Sequence, residues 1–272
     1  MSQKKILYIS QEIYPFVDES QIANISRNLP QAIQEKGMEI RAFMPKYGNI
    51  NERRNQLHEV IRLSGMNLII DDTDNSLIIK VASIQAARMQ VYFIDNEDYF
   101  QKRETLFDKK GEEYDDNDER SIFFVRGVME TIKKLRWVPD IIHCHGWFTA
   151  LAPLYLKKGY ADDPSFKDAK VIYSLYDETF KKPYNKKVAD KLRYEGIGDP
   201  EIEKIKSRGP MDYKNLMKLA IDFSDGIILG DEKIDDELIK YANEQNINIL
   251  PHEPDFDKSV DAIEEFYNKI DS

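Results

Sequence analysis

The stretch Asp140-Ile141-Ile142-His143-Cys144-His145-Gly146-Trp147 has the form of a buried strand that runs into a loop. Its first residues, Asp140–His143, contain the consecutive apolar, β-branched pair Ile141-Ile142, which is typical of a parallel strand covered by helices on both faces. Further runs share this character and are also predicted strands: Ile6–Ser10, Ile40–Met44, Leu77–Ile84, Met89–Ile94, Lys170–Leu175, Gly226–Leu229 and Ile247–Leu250.

Stretches with helical periodicity alternate with these strands. Ile22, Ile25, Leu29 and Ile33 fall on one face of a helix, for which Ser20 is a suitable N-cap. The alternation predicts a doubly wound, Rossmann-like α/β fold with a parallel sheet. The remaining predicted helices are Glu119–Arg136, Trp147–Lys157, Tyr213–Asp222, Ile234–Asn243 and Lys258–Ile270.

One region departs from the alternation. Leu77–Ile84 and Met89–Ile94 leave no room for a helix between them, so we predict that they pair as an antiparallel β-hairpin. Asp71–Asn75 is predicted to be a turn before it, since the segment lacks the glycine and the distal glutamate of a calcium loop. No repeat or low-complexity linker divides the chain, so residues 1–272 are predicted to form one domain with this hairpin inserted.

The composition limits the classes of partner. The chain has 272 residues and a formal charge of −10, which disfavours binding to nucleic acids and to anionic membranes. The single cysteine, Cys144, has no partner for an internal disulfide, which is typical of a reducing compartment. The apolar run Ile6–Ile9 is too short for a signal-peptide core or a membrane span. We therefore expect a cytoplasmic protein.

Ligands of an open parallel sheet bind beyond the carboxyl ends of its strands. This rule selects Gln11–Gln21, His143–Trp147, Tyr173–Thr179 and Gly230–Lys233 as candidate ligand segments. The first contains no glycine that would let backbone N–H groups approach a phosphate, and it carries Asp18 and Glu19. These carboxylates would oppose a pyrophosphate, although they are also favourable charges at a helix N-terminus. We expect neither a conventional dinucleotide site nor a bound cofactor.

The two histidines of the second segment lie two residues apart on an extended backbone and therefore point to the same side. His143, inside the apolar run, is interpreted as a hydrogen-bonded core residue, whereas His145 is expected to face a cleft. A zinc site needs at least one more nitrogen or sulfur ligand, and Cys144 points the other way. We therefore predict no metal site. The sequence also lacks a Gly-x-Ser-x-Gly nucleophile motif.

Several motifs occur in an order that resembles the N-terminal half of bacterial glycogen and starch synthases, which are retaining glucosyltransferases with the two-lobed GT-B fold. The resemblance extends from about Lys5 to about Leu238 and implies a single GT-B lobe. Its motifs are Ser10-Gln11-Glu12-Ile13-Tyr14-Pro15-Phe16, Leu29-Pro30, Pro45-Lys46-Tyr47, Asp118-Glu119-Arg120, and Trp137 to Leu151 with His143-Cys144-His145-Gly146-Trp147.

The departures from the family pattern fall on donor-binding positions. The family loop Lys-x-Gly-Gly meets the nucleotide sugar, and the corresponding residues here are Asp18, Ser20 and Gln21. The aspartate of the family's His-x-His-Asp-Trp motif is replaced by Gly146, and a histidine after a later strand is replaced by Tyr176. We interpret these five positions as lost donor-site residues. We also expect the C-terminal lobe, which carries the family's diphosphate-binding cations, to be absent.

The resemblance implies a catalytic role for His145 and substrate contacts by Trp147, Asp177 and Glu12. Because the donor positions are altered, we predict a glucan-binding or regulatory module of storage-glucan metabolism without independent glucosyl transfer. Aromatic residues such as Trp147, Phe148, Tyr155 and Tyr160 either contact glucan or pack in the interior.

Two alternatives remain. One is an active transferase that uses ADP- or UDP-glucose and completes its cleft with a partner protein or a second copy of itself. The other is a structural protein that binds partners through its C-terminal helix, whose apolar stripe could equally dock on its own sheet. A glucan or a nucleotide sugar is the expected ligand.

Overall fold

The computed structural model describes residues 3–272. Its strands form a continuous, mostly parallel sheet in the order β10-β9-β8-β7-β1-β2-β6-β5-β3, and β4 pairs with β5 beside it. The strands are β1 Lys5–Ser10, β2 Glu39–Pro45, β3 His58–Glu59, β4 Met66–Ile70, β5 Thr73–Ile84, β6 Met89–Asp95, β7 Ile141–His145, β8 Lys170–Leu175, β9 Gly226–Leu229 and β10 Asn248–Leu250. All pairs from β10 to β6 are parallel, as predicted.

Helices cover both faces of this sheet, which makes the predicted doubly wound α/β architecture. Tyr173 of β8 reaches Met217 of one helix, whereas the next residue, Ser174, faces His143 on the opposite side. The helices are α1 Gln21–Glu35, α2 Asn117–Leu135, α3 Ala152–Leu154, α4 Val188–Lys191, α5 Asp199–Lys206, α6 Tyr213–Asp222, α7 Asp236–Glu244 and α8 Phe256–Asp271.

The two helices that flank the histidine face were located correctly from the sequence. Ser20 caps α1, since its Oγ accepts a hydrogen bond from the Ala23 N–H at 2.9 Å. The apolar stripe of α8 is buried. Of the two uses considered for this stripe, the structure therefore shows docking on the sheet of the domain itself. A Cβ on Gly226 would lie 2.8 Å from the Phe266 ring, which shows how closely α8 approaches β9.

The inserted hairpin is confirmed, because β5 and β6 pair antiparallel. The predicted turn over residues 71–75 is too long: β5 already begins at Thr73, and an additional strand, β4, pairs with it. β4 alternates between buried residues (Leu68 and Ile70) and exposed ones (Asn67 and Ile69), the pattern of a half-covered strand.

The predicted helix Trp147–Lys157 is wrong as a single element. The segment forms a 3-10 turn at Trp147–Thr149, the short α3, and a π turn at Tyr155–Gly159. Pro153 lacks an N–H and cannot continue an α-helical ladder, which fits this break. The short helices α4 and α5, between β8 and α6, were not predicted. Their apolar residues are few, so periodicity is a weak signal for them.

Candidate functional site

The carboxyl ends of three neighbouring strands, β1, β7 and β8, place Gln11, Gly146 and Glu178 together. Gly146 has φ of +87°, in the left-handed region, and a Cβ at this position would lie 2.3 Å from the Gln11 side chain. The Gln11 amide therefore fills the space that a side chain at position 146 would occupy. A Cβ on Gly146 would displace Gln11 and strain the backbone as well.

Glu178 connects the same three strands through hydrogen bonds. Its Oε1 accepts from the Trp147 backbone N–H at 2.7 Å, and its Oε2 accepts from Gln11 Nε2 at 3.2 Å. Gln11 Nε2 also lies 3.4 Å from Glu12 Oε1, so the two carboxyl groups share one amide. Burial raises the pKa of Glu178 to about 8, and the Glu12 carboxylate adds to this effect. Burial also raises the pKa of Glu12.

The raised pKa of Glu178 predicts a pH dependence of stability. Its ordinary pKa is 4.5. Between that value and about 8 the folded chain keeps a proton that the unfolded chain has released. The Glu178 contribution to the free energy of unfolding therefore decreases as pH rises through this window. Each unit of pKa difference corresponds to about 1.4 kcal/mol.

Urea unfolding at pH 5 and pH 8.5 tests this, with Glu178→Gln as the variant that removes the titration. Between pH 5 and pH 8.5, we expect the free energy of unfolding to decrease more for the parent than for the variant, by at least about 1.4 kcal/mol. Glu195→Gln, at an exposed carboxyl group, is the matched control and is expected to follow the parent. Parallel pH profiles for parent and Glu178→Gln would contradict the raised pKa.

His143 is a satisfied core histidine, as predicted. Its Nδ1 lies 2.6 Å from the Tyr267 hydroxyl of α8, and its Nε2 lies 2.7 Å from Ser174 Oγ. The Tyr267 hydroxyl is in turn 3.1 Å from that of Tyr8. Burial lowers the pKa of His143 well below its usual range, so the ring is neutral. This hydrogen-bonded row ties α8 to β1, β7 and β8.

His145 differs from His143 in having one ring nitrogen without a partner. Nδ1 lies 2.6 Å from the Tyr176 hydroxyl, whereas the buried Nε2 has no hydrogen-bond partner among residues 3–272. Burial lowers its pKa to about 3, so the imidazole is neutral at physiological pH. A neutral imidazole offers either an N–H donor or a lone pair at this position, depending on its tautomer.

His145 lines a partly open cavity of about 170 Å³ between the sheet, α1 and α8, which we name the carboxyl-edge cavity. Ser10 Oγ, on the strand position paired with His145, and Ser26 Oγ on α1 are also buried without a hydrogen-bond partner in the described part of the chain, but neither residue lines the cavity. Within residues 3–272 no lysine or arginine lines the cavity, although Glu253 does. Its described lining contains polar, uncharged side chains and no lysine or arginine, so the cavity suits neutral, hydroxyl-bearing groups better than a phosphate.

Two of the predicted lost donor-site positions line this cavity, and the other positions lie outside its lining. Tyr176 and Gln21 line the cavity, and Gln21 Nε2 donates to the Gly230 carbonyl at 3.1 Å. The Tyr176 ring occupies the space beside Gly230, where a Cβ would lie 2.4 Å away. Ser20 serves as the cap of α1, and Asp18 is exposed outside the cavity lining.

The predicted substrate-contacting residues lie at different depths. Trp147 is only 3% exposed and packs on Phe180 with ring centroids 4.8 Å apart. Glu12 is half-buried beside Gln11, and Asp177 is exposed on the rim of an adjoining depression. Phe148, Tyr155 and Tyr160 are buried, in agreement with the packing interpretation of these aromatic residues.

Sequence reasoning did not single out Gln11 or Glu178, although both lie in segments that the strand-end rule had selected. Their chemistry depends on Gly146, which lies far from both in the sequence. Sequence reasoning also did not assign residues 251–263 to the site, although His252 and Glu253 line the cavity. Only the docking of α8 brings these residues to the histidine face.

Among residues 3–272, no group of three or more histidine, cysteine, aspartate or glutamate side chains is placed to hold a metal ion. No helix in this range is long and apolar enough to cross a membrane. Cys144 is buried, and burial raises the pKa of its thiol, so a reactive thiolate is not available.

Comparison with a solved structure agrees with the α/β fold described above. The fold resembles the catalytic domain of Starch Synthase IV from Arabidopsis thaliana bound to ADP and acarbose, with a TM-score of 0.71 at 18% identity over 92% of this chain and 51% of that one. That structure supports the assignment of a single GT-B lobe.

Sequence relatives are more similar. Glycogen synthase from Chlorobium limicola is 43% identical over 175 residues, which cover 64% of this chain and 36% of the relative. Glycogen synthase from Chlorobaculum parvum is 39% identical over 224 residues, which cover 81% of this chain and 44% of the relative. The chain thus spans less than half the length of these curated relatives. The family model for the starch synthase catalytic domain matches residues 5–250, and the chain belongs to that family.

Proposed function

We propose that this domain serves storage-glucan metabolism as a glucan-binding or regulatory module and does not transfer glucose by itself. The observation that carries the proposal is the composition of the carboxyl-edge cavity, whose lining includes Glu253 and His252 and no described lysine or arginine. A departing nucleoside diphosphate needs preorganised positive charge in the transition state.

The local geometry supports the loss of donor binding. Gln11 fills the space beside Gly146, and Tyr176 fills the space beside Gly230. The side chains of these two residues therefore occupy space at the carboxyl ends of the strands that a donor would need. The Glu178 carboxyl group adds an acidic group at this edge, which would repel a diphosphate whenever it is ionised.

A saccharide suits the remaining groups better. Its hydroxyls can donate and accept, so one hydroxyl satisfies either tautomer of His145. Gln21 and Ser259 also line the cavity and carry polar, uncharged side chains that a sugar hydroxyl can contact. In this proposal His145 contacts one sugar unit in the cavity, and Asp177 and Glu12 accept hydrogen bonds from hydroxyls of the neighbouring units of the glucan. Trp147 positions Glu178 through its backbone N–H.

The second candidate is an active glucosyltransferase that uses ADP- or UDP-glucose with a partner lobe or subunit. It is favoured by one observation: His145 is kept neutral with a free ring nitrogen at the cavity. In this case the partner supplies the cations that the cavity lacks. His145 would then be catalytic, in contact with the sugar that is transferred.

Incorporation of labelled glucose into glycogen from ADP-glucose and UDP-glucose separates these functions. We expect the purified chain to give no transfer above a protein-free blank. Transfer by the chain alone, abolished in His145→Ala, would overturn the proposal. Transfer that arises only with an added partner, and is lost in His145→Ala, would establish the second candidate.

Glucan binding is tested separately by titrating maltoheptaose in a calorimeter. We expect weaker binding by Asp177→Asn, because this change replaces an exposed carboxylate that accepts hydrogen bonds from sugar hydroxyls. Asp168→Asn, at an exposed carboxyl group before the amino end of β8, is expected to bind as the parent does. Equal affinities for the parent and both variants would exclude the proposed role of Asp177, and no binding by the parent would exclude a glucan-binding module.

A further inference from the structure

A second concave surface lies in the segment between β8 and α6, apart from the carboxyl-edge cavity. It is a groove of about 600 Å³ between the α4 and α5 regions, a volume within the range of ligand pockets. The groove is mainly apolar. Its apolar lining consists of Pro183, Val188, Ala189, Ile205, Pro210 and Met211.

The rim of this groove is positively charged, in contrast to the whole chain with its charge of −10. Lys186 and Lys206 line it directly, and Lys181 and Lys187 lie in the same loop. Lys206 is paired with Asp190 at 2.8 Å. Lys181, Lys186 and Lys187 are exposed and form no ion pair with any residue from Gln3 to Ser272. Their charge is therefore available to a ligand.

The groove is held in place by the packing around Tyr184. The Tyr184 backbone N–H donates to the Met211 carbonyl at 3.0 Å, which joins the two walls. The Tyr184 ring stacks on Phe180 with centroids 5.6 Å apart and an interplanar angle of 7°. A preformed groove loses little conformational entropy when a ligand binds.

We propose that this groove docks an acidic segment of a partner protein that carries one apolar side chain between carboxylates. The apolar side chain enters the groove, and the carboxylates contact the lysine loop. Charge complementarity selects this occupant, because an acidic peptide can follow the local positive rim. A nucleic acid or an anionic membrane would also meet the negative charge that dominates the chain.

Fluorescence anisotropy tests the proposal with a fluorescein-labelled peptide, Asp-Glu-Asp-Phe-Glu-Asp-Glu. We expect binding at low salt that weakens as ionic strength rises. A second peptide with serine in place of phenylalanine is expected to bind at least tenfold more weakly. The double variant Lys186→Glu/Lys187→Glu is also expected to weaken binding of the first peptide at least tenfold.

The matched control is Lys167→Glu/Lys258→Glu, which changes the net charge equally at exposed lysines far from the groove. It is expected to bind as the parent does. Both double variants should keep the parental circular dichroism spectrum, since all four side chains are exposed. Absent binding of the phenylalanine peptide, equal affinity for the serine peptide, or equal weakening by both double variants would each overturn the proposal. None of these results depends on glucosyl transfer.

Discussion

Replacement of Lys191 by methionine is expected to lower the free energy of unfolding by about 3–5 kcal/mol, the usual effect of removing one partner from a buried ion pair. Lys191 Nζ lies 2.8 Å from Asp118 Oδ2 and 2.6 Å from Glu119 Oε1. The Asp118 side chain is 0% exposed, so the variant leaves a carboxyl group without either its cation or water. Urea denaturation at pH 7 measures the loss.

The pKa directions support this expectation. Burial alone would lower the pKa of Lys191, but its hydrogen bonds to Asp118 and Glu119 raise it. Burial raises the pKa of Asp118, and the ammonium group opposes that effect. Without Lys191, the pKa of Asp118 should increase further and the carboxyl group should take up a proton on folding.

Lys133→Met is the matched control, because its ion pairs with Glu130 and Asp163 lie at 3.5 and 3.3 Å at a more exposed site. Ion pairs of this kind contribute about 0–1 kcal/mol. If Lys191→Met and Lys133→Met lose equal stability, the Lys191 cluster does not hold α2 against α4 as the structure indicates.

Replacement of Arg120 by methionine is expected to cost about 3–5 kcal/mol, because each buried acceptor left without a partner costs about 1–3 kcal/mol. The Arg120 guanidinium is fully buried and donates to the Tyr99 carbonyl, to Asn117 Oδ1 and to the Thr105 carbonyl at 2.7, 2.6 and 2.8 Å. It thereby joins the start of α2 to the loop before it. Burial lowers its pKa to about 10, which leaves it charged at neutral pH.

Thermal and urea unfolding measure this loss, with Arg120→Lys as a second variant. Lysine retains the charge but cannot donate to three separated acceptors at once, so an intermediate loss is expected. Arg54→Met, at an exposed arginine, should change stability by no more than about 0.5 kcal/mol. A full recovery of stability in Arg120→Lys would show that charge, rather than the guanidinium geometry, is what this position requires.

The order of strands and helices was predictable because it depends on local periodicity. The runs Ile6–Ser10 and Lys170–Leu175 match β1 and β8 to within one residue. Periodicity failed where the chain is short or irregular, as at Trp147–Gly159, whose turns have no repeating apolar face. It also missed β4, whose five residues give only two buried positions.

The candidate site was predictable in position but not in chemistry. The strand-end rule selected the segments that contain Gln11, His145 and Glu178, because the ends of parallel strands meet at one edge. The rule does not say which of these side chains fills the edge. That outcome depends on the left-handed backbone of Gly146, which lets Gln11 occupy the adjoining space.

By itself, the sequence determined the α/β alternation, the family resemblance and the shared orientation of His143 and His145. Each follows from residue order or from the two-residue repeat of a strand. Only the tertiary structure identified the groups that satisfy His143, because one of its partners is Tyr267, 124 residues away. It also decided that α8 forms one wall of the cavity in which His145 keeps a free nitrogen. Desolvation and hydrogen bonding depend on what packs around a group, and distant segments of this chain supply that packing.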